Sequence, residues 1–501
     1  MKGRIINVAD DLSRARYEIE LFLIGGAFDL AENSRLISSV TPDHSSIEIS
    51  YGKLIFSCWG EGWSRSWRVE RCEMEPERLR LECSKQMGLA RAAVELLRRE
   101  PDKEAARSRV EFAAALGAMI ESNLAGVRVI RSVTNRDDRL HFSGVHTRMV
   151  LKDRNRVIAA VGAGSKETQS DIDAALGAGL IWLDHLQRRQ SVDQLILFAP
   201  KRKSLTLATR LTAVQTKGAR ISLYEIDEAK RAIDPVSAFD QGDLADRMRR
   251  ARWPREQKLD AETSSLIDSI TRLAPDVIEK HHRGNQVLLS IHGLEFAEVS
   301  IKHASVKFGP SKKKLDQSNF SELCALVEEI LSARKADSTD RTGMLFRSQS
   351  ERWLEATLRR DITALDPTLD PRHVYSQVPA YRNEQRTFID LLGVTKTGRL
   401  VVIELKVVED IEFPFQGLDY WLRVEWHLRR GDFQRRGYFK GVRLSDEPPL
   451  LYLAAPLFRF HATTKIIAGS IIERVPVYRI GINEDWRAGV RVLMSERLNG
   501  C

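Results

Sequence analysis

Between Thr387 and Tyr420 the chain reads TFIDLLGVTKTGRLVVIELKVVEDIEFPFQGLDY, and no other stretch restricts the possible folds as tightly. Phe388 to Val394 is an apolar run broken by one acid, Asp390. Leu400 to Val407 is a β-rich run broken by Glu404 and Lys406. Lys396-Thr397-Gly398 between them is turn chemistry, so the two runs predict an antiparallel hairpin. Pro414 then punctuates, and Phe415 to Leu428 carries apolar residues at helical spacing. Charges inside such strands need a reason, because a buried carboxylate is costly unless it is paired, metal-bound or protonated. Glu404 and Lys406 stand two apart and share a face of their strand, and the hairpin sets Asp390 alongside. Two carboxylates and an ammonium at one end of a sheet suit a hard cation such as Mg²⁺, which takes oxygen ligands and keeps several waters. The lysine then orients or polarises an attacking water.

The order Asp…Glu-x-Lys, with thirteen residues between Asp390 and Glu404, resembles the PD-(D/E)XK nuclease superfamily. Gln416 and Tyr420, four apart on one helical face, add the Gln-x-x-x-Tyr element that marks a subset of those nucleases. Upstream, Ser350-Glu351-Arg352-Trp353-Leu354-Glu355 predicts a helix with Ser350 as its N-cap. In the family a glutamate from this first helix completes the site; Glu351 is the first candidate and Glu355, facing the same way, the alternative. The resemblance spans residues 340–485, under a third of the chain.

The resemblance implies metal-dependent hydrolysis of phosphodiesters. Asp390 and Glu404 would hold Mg²⁺ (or Mn²⁺), with the main-chain carbonyl of Leu405 and Glu351 as further ligands. Lys406 would position the water nucleophile and stabilise charge developing on the phosphate. Gln416 and Tyr420 would orient Lys406 or grip the phosphate. DNA is the substrate that the resemblance implies; the residues themselves separate neither DNA from RNA nor endo- from exonuclease action. A Glu-x-Lys pair alone also fits a solvent-facing ion pair on an edge strand. Two other functions stay open: a catalytically silent nucleic-acid-binding or scaffold protein, and a ligand-gated effector nuclease.

At 501 residues the chain is too long for one ordinary domain. With 43% hydrophobic and 29% charged residues it is globular, and a net charge of +9 favours a polyanionic partner without requiring one. Five scattered cysteines, Cys58, Cys72, Cys83, Cys324 and Cys501, form no paired CxxC motif, which speaks against zinc and for a reducing compartment. No signal-peptide core and no apolar run near the ~18 residues of a membrane span are seen. The expectation is a cytoplasmic protein with no membrane partner.

The pattern α-β-β-β-α-β-α-β occurs twice, from Glu104 and from Glu351. QLILFAP ending at Pro200 answers LLYLAAP ending at Pro456, and IEISYGKLIFS around Gly52 answers VLLSIHGLEFA around Gly293. Helices are expected after each of the latter, at residues 89–99 and Phe320 to Arg334. The fold expected is α/β (α+β): a tandem duplication of a small β/α module plus a PD-(D/E)XK-like αβββαβ domain, each with a mixed central sheet flanked by helices. The expected divisions are a small module at 1–100, a degenerate nuclease-like domain at 101–230, a basic linker at 231–262, a second small module at 263–340 and the catalytic domain at 341–490. The first copy lacks a metal site, because VIAAVGA replaces VVIELKV and His146-Thr147-Arg148-Met149 stands near the place of Asp390. A homodimer, or an intrachain pseudo-dimer of the two copies, follows as an expectation.

Basic residues suggest where a nucleic acid would lie. Arg423, Arg429, Arg430, Arg435, Arg436 and Lys440 interleave with Trp421, Trp426, Phe433, Tyr438 and Phe439, and Arg382, Tyr381 and Arg386 precede Asp390. Asp227 to Glu262, read as a connecting helix and linker, carries Arg247, Arg249, Arg250, Arg252 and Arg255. Trp59, Trp63 and Trp67 fit a packed small sheet better than a base-stacking platform. Gly162-Ala163-Gly164 sits like a phosphate loop between strand and helix but lacks the third glycine, and a plain strand-to-helix turn suits it better.

Overall fold

The computed structural model describes the chain apart from residues 1–3, 9–10, 25–27, 34, 41–44, 51–52, 61–62, 76, 86–89, 99–102, 138–140, 238–258, 284, 310–311, 339–340, 342, 383–384 and 501. There are two units, one made of Met1–Ala106 with Lys258–Ser350, the other of Arg107–Gln257 with Glu351–Cys501. Both are mixtures of sheet and helix, as expected for an α+β chain. Among the described residues no helix is long and apolar enough to cross a membrane.

The chain begins with β1 (Arg4–Asn7), α1 (Leu12–Ile24), β2 (Phe28–Glu32), β3 (Arg35–Val40), β4 (Ser45–Ser50), β5 (Lys53–Gly60), β6 (Trp63–Glu75), β7 (Arg78–Lys85) and β8 (Ala90–Arg98). The strands form one antiparallel sheet in the order β3-β2-β8-β7-β6-β5-β4, with β1 on β6. The helix expected at 89–99 is strand β8. Ala92, Val94 and Leu96 point inward at period two, and pairing with β2 and β7 on both edges overrides the helix preference of Ala, Leu and Glu. Trp67 is buried, stacks on Phe56 and donates Nε1–H to Glu32, so it is core. The side chains of Trp59 and Trp63 lie outside the described residues.

Next come α2 (Lys103–Asn123), β9 (Val127–Val133), β10 (Thr147–Asp153), β11 (Arg156–Gly162), α3 (Gln169–Asp173), α4 (Ala175–Gln187), β12 (Gln194–Pro200), α5 (Leu205–Leu211), β13 (Arg220–Asp227) and β14 (Ala232–Val236). The segment after Asp227 thus adds an edge strand where a connecting helix was expected, and the arginines of 247–255 lie outside the described residues. A Cβ on Gly162 would stand 2.7 Å from Leu116, and one on Gly164 3.2 Å from Phe112. These glycines let α2 pack closely, which accounts for the Gly-Ala-Gly turn without a phosphate.

The second part of the first unit holds α6 (Ala261–Thr271), β15 (Ile278–Arg283), β16 (Gln286–Ile291), β17 (Leu294–Ser300), β18 (Ser305–Phe308), β19 (Lys313–Lys314), α7 (Phe320–Ala333) and α8 (Met344–Arg347). Its five strands form an antiparallel meander. Each part has a hairpin, β4–β5 and β16–β17, but three strands, β6 to β8, follow the first before a helix, and β18 and the two-residue β19 follow the second before α7.

The last part contains α9 (Ser350–Arg360), β20 (Tyr375–Arg382), β21 (Gln385–Val394), β22 (Leu400–Leu405), α10 (Phe413–Arg429), α11 (Asp432–Arg435), β23 (Leu450–Pro456), α12 (Thr464–Gly469), β24 (Val477–Ile482) and β25 (Val492–Arg497). Strand β25 carries the sheet beyond residue 490. The sheets β9–β14 and β20–β25 follow chain order, and both pair antiparallel, antiparallel, parallel, parallel, antiparallel from their first strand to their last. One apolar core runs through both, from β11, β12 and α4 to α10, α12, β22 and β23. From Ala175 to Leu183 helix α4 is apolar all round, because it lies between its own sheet and α12 of the other half. Backbone bonds tie the halves, Gln215 N–H to Ser470 O at 2.8 Å and Ile472 N–H to Ala213 O at 3.0 Å.

Candidate active site

Strands β20, β21 and β22 bring three polar side chains into one row. The β21–β22 ladder pairs Leu392 with Val402 and Leu391 with Ile403, so one further step sets Asp390 across from Glu404. On its other side, β20 pairs Ser376 with Leu391 and Val378 with Ile389, which leaves Gln377 opposite Asp390. Gln377 has φ 52°, a left-handed conformation rare for a non-glycine residue within a strand and typical of strained functional positions. Its Nε2–H donates to Glu355 Oε2 at 2.6 Å, and Leu405 N–H donates to Asp390 Oδ2 at 2.9 Å.

Around this row the charges are tightly coupled. Glu404 is 4% exposed, and its Oε2 has no hydrogen-bond partner. Lys406 Nζ lies 3.8 Å from Glu351 Oε1 and 3.5 Å from Asp410 Oδ2. Burial pushes the Glu404 carboxyl well above the ordinary range, and neighbouring Asp390 pushes the same way. Burial likewise raises Asp390 against the opposing pull of Leu405 N–H and Lys406. Glu351 is raised by burial too, with Lys406 opposing. Burial resists the charge on Lys406, but Glu351, Glu404, Asp410 and Asp390 together outweigh it and hold the ammonium protonated. Glu355 is pushed up to about 8 by burial, although Arg352 stands 3.4 Å away.

Two buried carboxylates facing each other, one with an oxygen lacking any donor, could receive a cation such as Mg²⁺, which is held by one or two carboxylates with water for the remainder. Among the described residues no three His, Cys, Asp or Glu side chains gather into a full metal cage. A hydrated hard cation is what Asp390 and Glu404 by themselves could hold. The backbone of Leu405 is held at Asp390 by its N–H. Glu351 stands by Lys406, whereas Glu355 is engaged by Gln377 and Arg352.

Tyr420 is buried on α10, and burial together with the charges of Glu404 and Asp390 raises its hydroxyl pKa. Gln416, one turn earlier, has a buried Oε1 with no hydrogen-bond partner. The basic residues farther along α10 are elsewhere. The helix starts beyond the end of β22 and returns toward the start of β23, so Arg429 and Arg430 lie about 15 Å beyond Tyr420 at ~1.5 Å per residue. Arg423 donates to Asp419 O, Arg429 pairs with Glu425, Arg430 covers the Trp426 ring and Arg435 pairs with Asp432. Arg436 and Lys440 are exposed on the same segment, while Phe433, Tyr438 and Phe439 are packed core rings. The side chains of Tyr381, Arg382 and Arg386 lie outside the described residues. Ser350 is the first helical residue, not a cap; its hydroxyl donates to Arg347 O. Sequence reading missed Gln377, Arg352 and Asp410; only Asp410, four residues after Lys406, left a signal in its spacing.

The first sheet has a corresponding place with different chemistry. Val161 pairs with Leu197 on β12 as Glu404 pairs with Leu453 on β23. Arg148 lies opposite Val161, as Asp390 lies opposite Glu404, and Ala163 takes the place of Lys406. The Arg148 guanidinium is buried, donates to Asn135 O and lies 4.0 Å over the Phe142 ring. A fixed cation thus occupies the place of an acid, and among the described residues no carboxylate pair stands at this place.

No family model and no curated protein matches the chain. Among solved structures, an EndoMS–dsDNA complex is 12% identical, covering 45% of this chain and 98% of its own at a TM-score of 0.17. A repair endonuclease from Pyrococcus abyssi is also 12% identical, covering 45% of this chain and 99% of its own at a TM-score of 0.17. Likeness of that degree assigns no activity.

Proposed function

We propose that the chain is a metal-dependent nuclease that hydrolyses phosphodiester bonds in DNA, with its active site on β21 and β22. The observation that carries this is the facing of Asp390 and Glu404, with Glu404 Oε2 lacking a donor and Lys406 held beside them. Asp390, Glu404 and the Leu405 carbonyl would hold Mg²⁺ or Mn²⁺, and Glu351 or Glu355 would complete the shell. Such an ion supplies a more acidic water and a counter-charge for the phosphate oxygens. Lys406, kept cationic by its carboxylate neighbours, orients the nucleophilic water and stabilises charge on the pentacovalent phosphorus. Gln416 and Tyr420 would orient Lys406 or grip the phosphate, Tyr420 as a neutral hydroxyl donor. The matched topology of the two six-stranded sheets supports descent by duplication, with the Arg148 copy retained as an intrachain partner in place of a second protomer. The free cysteines Cys58, Cys72, Cys83 and Cys324 suit a cytoplasmic setting.

The test uses circular single-stranded DNA, supercoiled duplex and RNA, each with Mg²⁺, Mn²⁺ or EDTA, beside Asp390→Ala and Lys406→Ala. Metal-dependent cutting of DNA that both variants lose is expected. Cutting that survives in both variants would sink the site assignment, and inert wild type that still binds DNA would favour a silent binding protein.

A further inference from the structure

The half without a counterpart of the Asp390–Glu404 pair reaches into the helix that carries Gln416 and Tyr420. Arg210, on α5 of the first half, is 0% exposed. Its guanidinium donates from Nε and Nη2 to the two carboxylate oxygens of Asp419, both at 3.0 Å. Nη1 donates to Glu412 Oε2 at 3.0 Å and to Asp173 O at 2.8 Å. The plane also lies 4.8 Å from the Phe415 ring centroid.

These contacts fall at chosen points on α10. Glu412 is the N-cap residue, and its carbonyl accepts from Phe415 N–H and Gln416 N–H, each at 2.9 Å. Asp419 directly precedes Tyr420. One planar cation therefore grips the helix before Gln416 and before Tyr420, and its fork fixes rotation as well as position. The closeness has a second support in Gly177 of α4, where a Cβ would stand 2.9 Å from Glu412 Oε1.

We infer that Arg210 is a positioning residue for the active site of the other half, setting the rotation and register of α10 so that Gln416 and Tyr420 face Asp390 and Glu404. The inference rests on the nuclease reading for its catalytic consequence but not for its structural one. The half without a metal site thereby holds its twin in working order. A buried arginine facing two acids is weak evidence for stability alone, since a well-packed apolar replacement is often as stable. Its bidentate geometry serves definition of position.

The experiment compares Arg210→Lys and Arg210→Met in the full-length chain, by hydrogen exchange of the α10 amides and by steady-state cutting, each also with Tyr420→Phe. Arg210→Lys keeps the charge and loses the fork, so it remains informative if Arg210→Met fails to fold. Expected are exchange at least tenfold faster at residues 415–421 with β22 and β23 unchanged, and a tenfold or greater fall in kcat with little change in KM. Little further fall is expected in the Tyr420→Phe background, because both changes act through the same helix. Unchanged exchange on α10 would overturn the inference. So would loss of kcat that merely follows the unfolded fraction and multiplies fully with Tyr420→Phe. If wild type cuts nothing, the nuclease reading falls by itself, and exchange along α10 still decides whether Arg210 positions the helix.

Discussion

A carboxylate placed like Glu404 works against folding until something binds it. It is buried, it faces Asp390, and one of its oxygens receives no donor. Neutralising it therefore relieves the metal-free protein. Glu404→Gln is expected to stabilise the chain in EDTA by about 1–3 kcal/mol, read as a rise in melting temperature, while abolishing cutting. Added Mg²⁺ should then raise the melting temperature of wild type and not of the variant, since only wild type keeps the pair proposed to bind it. Asp370 shows the opposite electrostatics. The Arg372 side chain donates to it at 3.0 and 2.8 Å and holds its carboxyl down to about 2. Because the folded pKa is below the usual 3.8, the contribution is complete above that value and is lost as pH falls toward 2. Arg372→Ala should move the acid limb of unfolding, followed by circular dichroism, to higher pH.

At the scale of elements, helix α10 illustrates what close packing requires. A Cβ on Gly417 would stand 2.9 Å from Leu453 Cδ2 and 3.0 Å from Leu451 Cδ1, so the glycine lets the helix lie directly on β23. Gly417→Val is expected to cost about 1–3 kcal/mol in thermal unfolding by overpacking and to reduce cutting, since it lifts Gln416 and Tyr420 from the sheet. This element was legible in sequence because Pro414 and the apolar spacing announce it. Asp390, Glu404 and Lys406 were legible because charges interrupt apolar strands. Strand β8 was not, because its Ala, Leu and Glu residues favour helix until neighbours on both edges claim the backbone. Gln377 was not either: a neutral amide interrupts no pattern, and its left-handed φ comes from the sheet around it. Arg210 lies 209 residues from Asp419 in sequence, a distance over which no local spacing rule reaches.

In the second unit one apolar cluster spans both six-stranded sheets, beside a separate one that α2 forms on the other face of the first sheet. Phe413, Phe415, Leu418, Ile467, Ala468 and Ile471 of the second half join Leu176, Ile181, Leu207, Ala213 and Val214 of the first in one buried apolar cluster. Separating the halves would expose this surface and strip Asp419 and Glu412 of Arg210. At roughly 25 cal/mol per Å² of apolar surface, even a few hundred Å² of new exposure is comparable with the ~5–15 kcal/mol stability of an ordinary domain. Residues 341–501 expressed alone are therefore expected to aggregate or to show the expanded, dye-binding behaviour of a loosely packed state, although they carry every side chain proposed for catalysis. Within the full chain, the two six-stranded sheets should lose protection in a single cooperative step when unfolding is followed by hydrogen exchange in denaturant. A fragment that folds with a sharp melting transition, or sheets that open separately, would mean that the two halves are independent domains in contact and that the first can be removed without harm to the second.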